Sequence, residues 1–272
     1  MNFIQKLRNI QQKHNSLLCI DLDTEVSKVP ELLYAYGDPQ FEFNRHIIDA
    51  TKDLVCAYKL NIPFYESVGE HGWYTVHQTL ARIPEEIVTI GDGKRGDLPV
   101  SAEKQAALLC EDWEFSGITV SPYMGKDSVE PFMKRKDQCA FVLTLSSNKG
   151  AKDLQYLKVK NKPLYEHVVQ LAKKWNTKKN VGLVVGAIQS KELQRIRTLA
   201  PGMPILISDI PKKKGLESSV RFGCDKQGEL AIINVGQSIL YASNGEDFAQ
   251  RAREEALKIR DRINKYREKY FR

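Results

Sequence analysis

The chain has 272 residues, of which 42 % are hydrophobic and 28 % charged, a balance that excludes intrinsic disorder. The length suits one α/β barrel of about 250 residues, or two smaller domains. Most of the formal charge of +7 belongs to one end: residues 251–272 carry nine Lys/Arg against four Asp/Glu, a surplus of five that leaves about +2 elsewhere.

A helical segment, 2–14, comes first and is placed to close the bottom of a barrel. Eight short β-rich runs follow, at 16–23, 54–61, 87–94, 117–123, 140–147, 181–187, 204–210 and 230–236. Helical spacing separates them, at 41–53, 66–83, 101–112, 164–175 and 191–199. Most runs are continuously apolar, as parallel strands covered on both faces are. Eight β-α units in this length predict a single-domain (β/α)8 TIM barrel spanning 1–272. The alternative is an open doubly wound sheet, but no G-x-G-x-x-G follows the first run. In the basic terminal segment Ile259, Ile263, Tyr266 and Tyr270 share one helical face. The charges there read as the solvated side of an amphipathic helix, so nucleic acid is not the expected partner.

No run approaches the ~20 apolar residues of a membrane span. Residues 1–8 lack the apolar stretch of a secretory leader, so a cytoplasmic protein is expected. Cys19, Cys56, Cys110, Cys139 and Cys224 are scattered and odd in number, and read as buried thiols of a reducing compartment. No C-x-x-C pair and no zinc-ligand histidine spacing occurs, so no metal is expected.

A barrel carries its catalytic groups at the C-terminal ends of its strands, and the charged residues gather there. Asp21 and Asp23 end the first run, Lys59 and Asn61 the second, and Ser146 to Asn148 the fifth. The third ends Asp92-Gly-Lys94, followed by Arg95-Gly-Asp97. Strand alternation puts Asp92 and Lys94 on one side. Gly93 and Gly96 let the backbone turn close to a ligand. With Lys59 from the neighbouring strand this predicts an alternating Lys-Asp-Lys-Asp array. In a dry site each carboxylate keeps its ammonium neighbours charged, and the reverse. A substrate carboxylate beside Asp92 is repelled, while a carbanion formed there is stabilised by Lys94, which can return a proton. That is decarboxylation without a cofactor. The bland alternative is a buried ion-pair network that only holds the mouth together.

The run Gly91-Asp-Gly-Lys-Arg-Gly-Asp97 resembles the Asp-x-Lys-x-x-Asp signature of orotidine 5′-phosphate decarboxylases, most closely the bacterial subfamily with Lys-Arg-Gly-Asp. The resemblance extends over roughly 1–245 through Leu18-Cys19, Leu22-Asp23, Lys59 with 61–66, 121–127, 144–150, 153–155, 185–187, Glu192-Leu193 with Ile196-Arg197, and Asn234 with 239–242. It implies cofactor-free conversion of orotidine 5′-phosphate to UMP in pyrimidine biosynthesis, by a homodimer with shared active sites. It implies roles for these residues: Lys59 and Asp92 in the charge array, Lys94 as proton donor to C6, and Asp97 lent to the neighbouring subunit's site. Asp23 and Ser101 would bind the ribose and Ser147 the pyrimidine, with Asn61 beside them. Asp21 stands where the subfamily usually has Gly, and the resemblance gives it no role.

Two departures lie where the family grips phosphate. Its Gly-rich loop after strand seven is replaced by 208–215, Ser-Asp-Ile-Pro-Lys-Lys-Lys-Gly. The phosphate arginine after strand eight aligns with Gln237. Arg offers phosphate a charged fork and Gln a neutral amide. Lys212, Lys213 and Lys214 either replace that charge, with Lys213 as the candidate ligand, or form an ordinary solvated loop, and Asp209 would oppose a phosphate if it faced in. Two other readings stand beside the decarboxylase. One is a divergent paralogue, a decarboxylase or lyase acting on another nucleotide-like substrate. The other is a non-catalytic nucleotide- or RNA-binding protein. Related Mg²⁺-dependent barrels usually carry an acidic residue two before the aspartate, where this chain has Ile90.

Overall fold

The computed structural model describes residues 1–187, 190–208, 210 and 215–271. The strands in chain order are β1 (Leu18–Asp21), β2 (Ala57–Asn61), β3 (Val88–Arg95), β4 (Gly117–Val120), β5 (Cys139–Leu145), β6 (Lys158–Val159), β7 (Lys162–Pro163), β8 (Val181–Gly186), β9 (Ile205–Ser208) and β10 (Ala231–Val235). Among the described residues, eight of them pair in parallel and close as β1-β10-β9-β8-β5-β4-β3-β2, while β6 and β7 form a separate antiparallel ribbon. Closure excludes the open sheet. All eight barrel runs are found, most of them shorter than the sequence pattern suggests. Asp23, Ser121 to Tyr123, Ser146, Ser147 and Gly236 fall beyond their strands, in the loops of the barrel mouth.

The helices are α1 (Phe3–Lys13), α2 (Pro39–Thr51), α3 (Ile62–Glu66), α4 (Glu70–Arg82), α5 (Pro99–Ala106), α6 (Lys126–Val129), α7 (Ala151–Leu154), α8 (Leu164–Trp175), α9 (Ser190–Leu199), α10 (Leu216–Gly223), α11 (Gln237–Leu240) and α12 (Phe248–Phe271). The expected 66–83 helix begins later, because Gly69 at φ 75° interrupts it and caps α4. The 41–53 helix starts two residues earlier, where Asp38 accepts the Phe41 N–H and Pro39 opens the first turn. The 101–112 segment is α5 from Pro99, continued by a wider π turn over Ala107–Asp112.

The bottom of the barrel is closed by α1, as the sequence suggests. Asn2 and Gln5 form a reciprocal capping box that starts the helix. Phe3 meets Phe141 of β5 edge to face at 5.7 Å. The Phe141 ring fills space left by glycines: a Cβ on Gly117 or Gly182 would lie 2.7 or 2.5 Å from it. Gln11 donates to the Ala231 carbonyl at 2.7 Å and accepts from Leu230 N–H at 3.1 Å. Arg8 pairs with both Asp225 and Glu229. At the other end of the chain, α12 buries Phe248, Ala252, Ala256, Ile259 and Ile263. Its Tyr270 hydroxyl and Lys269 ammonium both engage Glu217 of α10. The basic terminus is thus an amphipathic helix docked on the barrel.

Candidate active site

The C-terminal ends of β1, β2, β3 and β10 bring one cluster of charge together. Asp21 and Lys59 are register partners on β1 and β2. The Lys59 ammonium lies 2.6 Å from Asp21 Oδ1, 2.8 Å from Asp92 Oδ2 and 3.6 Å from Asp23 Oδ1. Lys94 Nζ donates to the other oxygen of Asp92 at 2.8 Å. Asp92 is therefore bridged between two ammoniums. Asn61 Nδ2 reaches Asp23 Oδ2 at 3.3 Å. Lys59, Asp92, Lys94, Asp23 and Asn61 are thus assembled in one place.

Asp92 and Lys94 do not meet through regular strand alternation, contrary to the expectation from the sequence. From the pair Gly91–Ile118 to the pair Arg95–Val120, β3 advances four residues and β4 only two. The extra length is a bulge that holds Asp92, Gly93 and Lys94. Lys94 sits at φ 45°, a conformation that non-glycine residues rarely adopt. Thr119 on β4 pins the bulge. Its hydroxyl accepts the Lys94 backbone N–H at 3.0 Å and donates to Asp92 Oδ1 at 2.6 Å. The two side chains converge because the strand kinks, not because it is regular. Thr119 lies inside an ordinary apolar run, so the sequence gives no signal for it.

Electrostatics separates the carboxylates. Burial favours the neutral acid of Asp92, but Lys59 and Lys94 outweigh it and hold the group well below the usual carboxylate range. Asp21 goes the other way: burial, with Asp23 nearby, pushes it well up despite Lys59. The Lys59 ammonium is held charged by its carboxylates against a large cost of burial. Three buried acceptor oxygens in this mouth, Asp21 Oδ1, Asp23 Oδ1 and Asn234 Oδ1, have no hydrogen-bond partner. Asn234 uses its amide instead to donate to Asp21 Oδ2 at 2.8 Å. Asp21 Oδ1 and Asp23 Oδ1 have the Lys59 charge beside them, whereas Asn234 Oδ1 is open to a donor from a ligand or water.

The other expected site residues occupy the neighbouring turns, loops and helix starts of the barrel mouth. Asp97 is half-buried in the turn after β3 and accepts the Leu98 N–H at 2.7 Å, without an ion pair to any described residue. Within the single chain it makes no ion pair that would extend the array; it follows Gly96, at φ 151°, in the turn after β3. Ser101 is exposed in the first turn of α5. Ser147 is half-buried in the loop after β5, where Gln155 bonds the Ser146 N–H at 2.8 Å. Gln237 is exposed at the start of α11. Lys212, Lys213, Lys214 and Asp209 lie outside the described residues. Ile90 is fully buried in the core.

The family model described as orotidine 5′-phosphate decarboxylase / HUMPS matches residues 16–252. The chain belongs to the orotidine 5′-phosphate decarboxylase family. An orotidine 5′-phosphate decarboxylase of Dehalococcoides mccartyi is 42 % identical over 275 aligned positions, covering 99 % of this chain and all of the relative. One of Herpetosiphon aurantiacus is 42 % identical over 93 % of this chain and 95 % of its own. The solved structure of Leishmania donovani OMP decarboxylase superposes with a TM-score of 0.86 at 34 % identity, covering 98 % of this chain and 99 % of that one. The (β/α)8 fold and the family expected from the Asp-Gly-Lys-Arg-Gly-Asp run are both borne out. In this family setting Asp21, Thr119 and Asn234 join the site residues; the sequence alone assigns them no role.

Proposed function

We propose that this protein decarboxylates orotidine 5′-phosphate to UMP, a carboxy-lyase step of pyrimidine biosynthesis. The family and the full-length relatives support this, and one geometric observation carries the mechanism: Asp92 is held ionised between the Lys59 and Lys94 ammoniums at 2.8 Å each. The scissile carboxylate is placed beside Asp92, where two like charges raise the energy of the bound ground state. The bond from C6 to the carboxylate breaks, carbon dioxide leaves, and the electron pair stays on C6. Lys94, with Asp92 as its one ion-pair partner among the described residues, stabilises that charge and delivers the proton to C6. Thr119 fixes the Lys94 backbone for this. Asp23 and Asn61 hold the ribose, Ser147 meets the pyrimidine, and Gln237 with Lys213 takes the phosphate.

The working unit is a homodimer in the reducing cytoplasm. Leu98 and Val100 follow Asp97 and are 64 % and 74 % exposed; Tyr123, at 81 %, lies in the loop hydrogen-bonded to the end of β3 through Ser121 and Arg95. An apolar rim of that kind favours a second copy, and it carries Asp97 and Ser101 toward the partner's mouth. Five buried cysteines, all free, suit a reducing compartment. Among the described residues no helix is long and apolar enough to cross a membrane. Steady-state turnover of orotidine 5′-phosphate, followed in the ultraviolet, tests the activity. Mixing Lys94→Ala with Asp97→Ala tests the sharing. Regained turnover supports crossed sites, and an inactive mixture of the two folded variants refutes them.

A further inference from the structure

The positive charge of the chain is not open where the sequence concentrates it. On α12, Arg251, Arg253, Lys258, Arg260 and Lys269 each meet a carboxylate. Residues 149–162 differ: five lysines stand there against a single acid, Asp153. Lys149, Lys152, Lys158, Lys160 and Lys162 are all exposed, and none pairs with a carboxylate among the described residues. The catalytic mechanism uses none of them.

These charges sit on a built surface. β6 and β7 pair through Val159 with Lys162 and Lys158 with Pro163. Lys160 and Asn161, at φ 48° and 61°, close the ribbon in a tight turn of two left-handed residues. The Leu164 N–H donates to the Leu157 carbonyl at 2.8 Å, and the His167 ring donates to the Val159 carbonyl at 2.8 Å, so the ribbon is tied to α8. Leu154, Leu157 and Val159 are half-exposed among the lysines. Lysine guards the free edges of sheets, which accounts for Lys158 and Lys162. It does not account for aliphatic side chains left open beside them, or for lysine at a turn position that Asn and Gly occupy at lower cost.

We propose that the β6–β7 ribbon, with the adjoining α7 turn, docks on the surface of an anionic lipid bilayer. Lysine and aliphatic side chains together fit that surface: the ammoniums meet the headgroups while the aliphatic groups enter the boundary beneath them. A nucleic acid offers no apolar layer to Leu154, Leu157 and Val159. The aromatic ring of this segment, Tyr156, packs edge to face on Tyr165 and does not stand free for a base to stack on. The surface uses no residue of the charge array, so the inference is independent of the decarboxylase reading.

The test is cosedimentation of the full-length protein with vesicles of phosphatidylcholine alone and of a two-to-one mixture of phosphatidylcholine and phosphatidylglycerol. Wild type is compared with the triple variant Lys158→Gln, Lys160→Asn, Lys162→Gln, which keeps a residue suited to the turn, and with the double variant Leu157→Ser, Val159→Ser. The expected result is that wild type binds the anionic vesicles and not the neutral ones. The triple variant should lose on the order of 100-fold in partitioning, at about fivefold per lysine, and the double variant about tenfold. Melting temperature, oligomeric state and turnover should be unchanged in both. Wild type that stays in solution, or that binds neutral vesicles equally, overturns the inference, and binding of single-stranded RNA by such a protein through the same lysines would name the other occupant. A triple variant that binds as well as wild type also overturns it, assigning the attraction to α12. So does a double variant that falls to a smaller assembly, which would make the ribbon a contact between copies of the chain.

Discussion

The barrel carries a buried charge network at each end, and the two are built differently. At the floor Arg8 joins Asp225 and Glu229, Gln12 donates to Glu229 at 2.9 Å, and the Gln227 and Glu229 N–H groups both donate to Asp225 Oδ1 at 3.0 Å. None of these side chains is left with a buried unpartnered polar atom. At the mouth, Asp21, Asp23 and Asn234 each keep a buried acceptor without a hydrogen bond. The mouth also keeps Lys94 in a left-handed conformation and crowds three carboxylates around one ammonium. A satisfied network stabilises the fold, whereas orphaned acceptors and backbone strain mark a site that waits for a ligand. The same residue types therefore do different jobs, and the hydrogen-bond accounting tells them apart where composition does not.

Mutations at the two ends should separate these roles. The largest effect belongs to Lys94→Ala, which removes the proposed proton donor from a half-exposed position. Turnover should fall by at least about 10³-fold, with the melting temperature nearly unchanged, as read by an activity assay beside calorimetry. Arg8→Ala comes next and has the opposite signature. It strands two buried carboxylates and should cost about 3 kcal/mol, lowering the melting temperature by roughly 10 °C with kcat unchanged in the protein that remains folded. A loss of kcat in folded Arg8→Ala would erase the distinction between floor and mouth. Gln237→Arg should tighten UMP about tenfold through a charge-assisted hydrogen bond, measured by titration; no gain would place the phosphate elsewhere.

The smallest effect concerns Asp21 and pH. Its folded carboxyl is raised above the ordinary value of about 3.9 that it has when unfolded. The folded state therefore holds that proton more tightly, and the buried charge destabilises the protein above the folded pKa. Asp21→Asn should stabilise the protein by about 1 kcal/mol at neutral pH. That gain should shrink as the pH falls through the raised value toward 4. Melting curves across that range check it, and a gain that grows on acidification would contradict the sign. Asp92 carries the reverse linkage: held below the usual range by two lysines, it contributes stability that persists above the unfolded value and fades only in stronger acid.

Much of this was legible in the sequence, for physical reasons. Parallel strands covered on both faces are long apolar runs, so all eight barrel strands stand out, and alternation with helical spacing implies the closed fold. Lys59, Asp92 and Lys94 were legible because charge at the end of an apolar strand has few structural uses. The strand ends were less so: Asp23, Ser147 and Gly236 continue the pattern without continuing the ladder. Thr119 was hidden because its task is to pin a bulge on the neighbouring strand, and one-dimensional spacing does not report a register shift. Asp21 was visible as an oddity, but its contacts needed the pairing of β1 with β2 and the closeness of Gly236.

The central claim is that the bridged Asp92 between Lys59 and Lys94 is a working decarboxylation site. The most direct test mixes the purified protein with orotidine 5′-phosphate and follows the loss of its ultraviolet absorbance, with Lys94→Ala alongside. The account predicts turnover to UMP that disappears in the variant while both proteins remain folded. Absence of turnover in the folded wild type at saturating substrate, or equal turnover in Lys94→Ala, would contradict it.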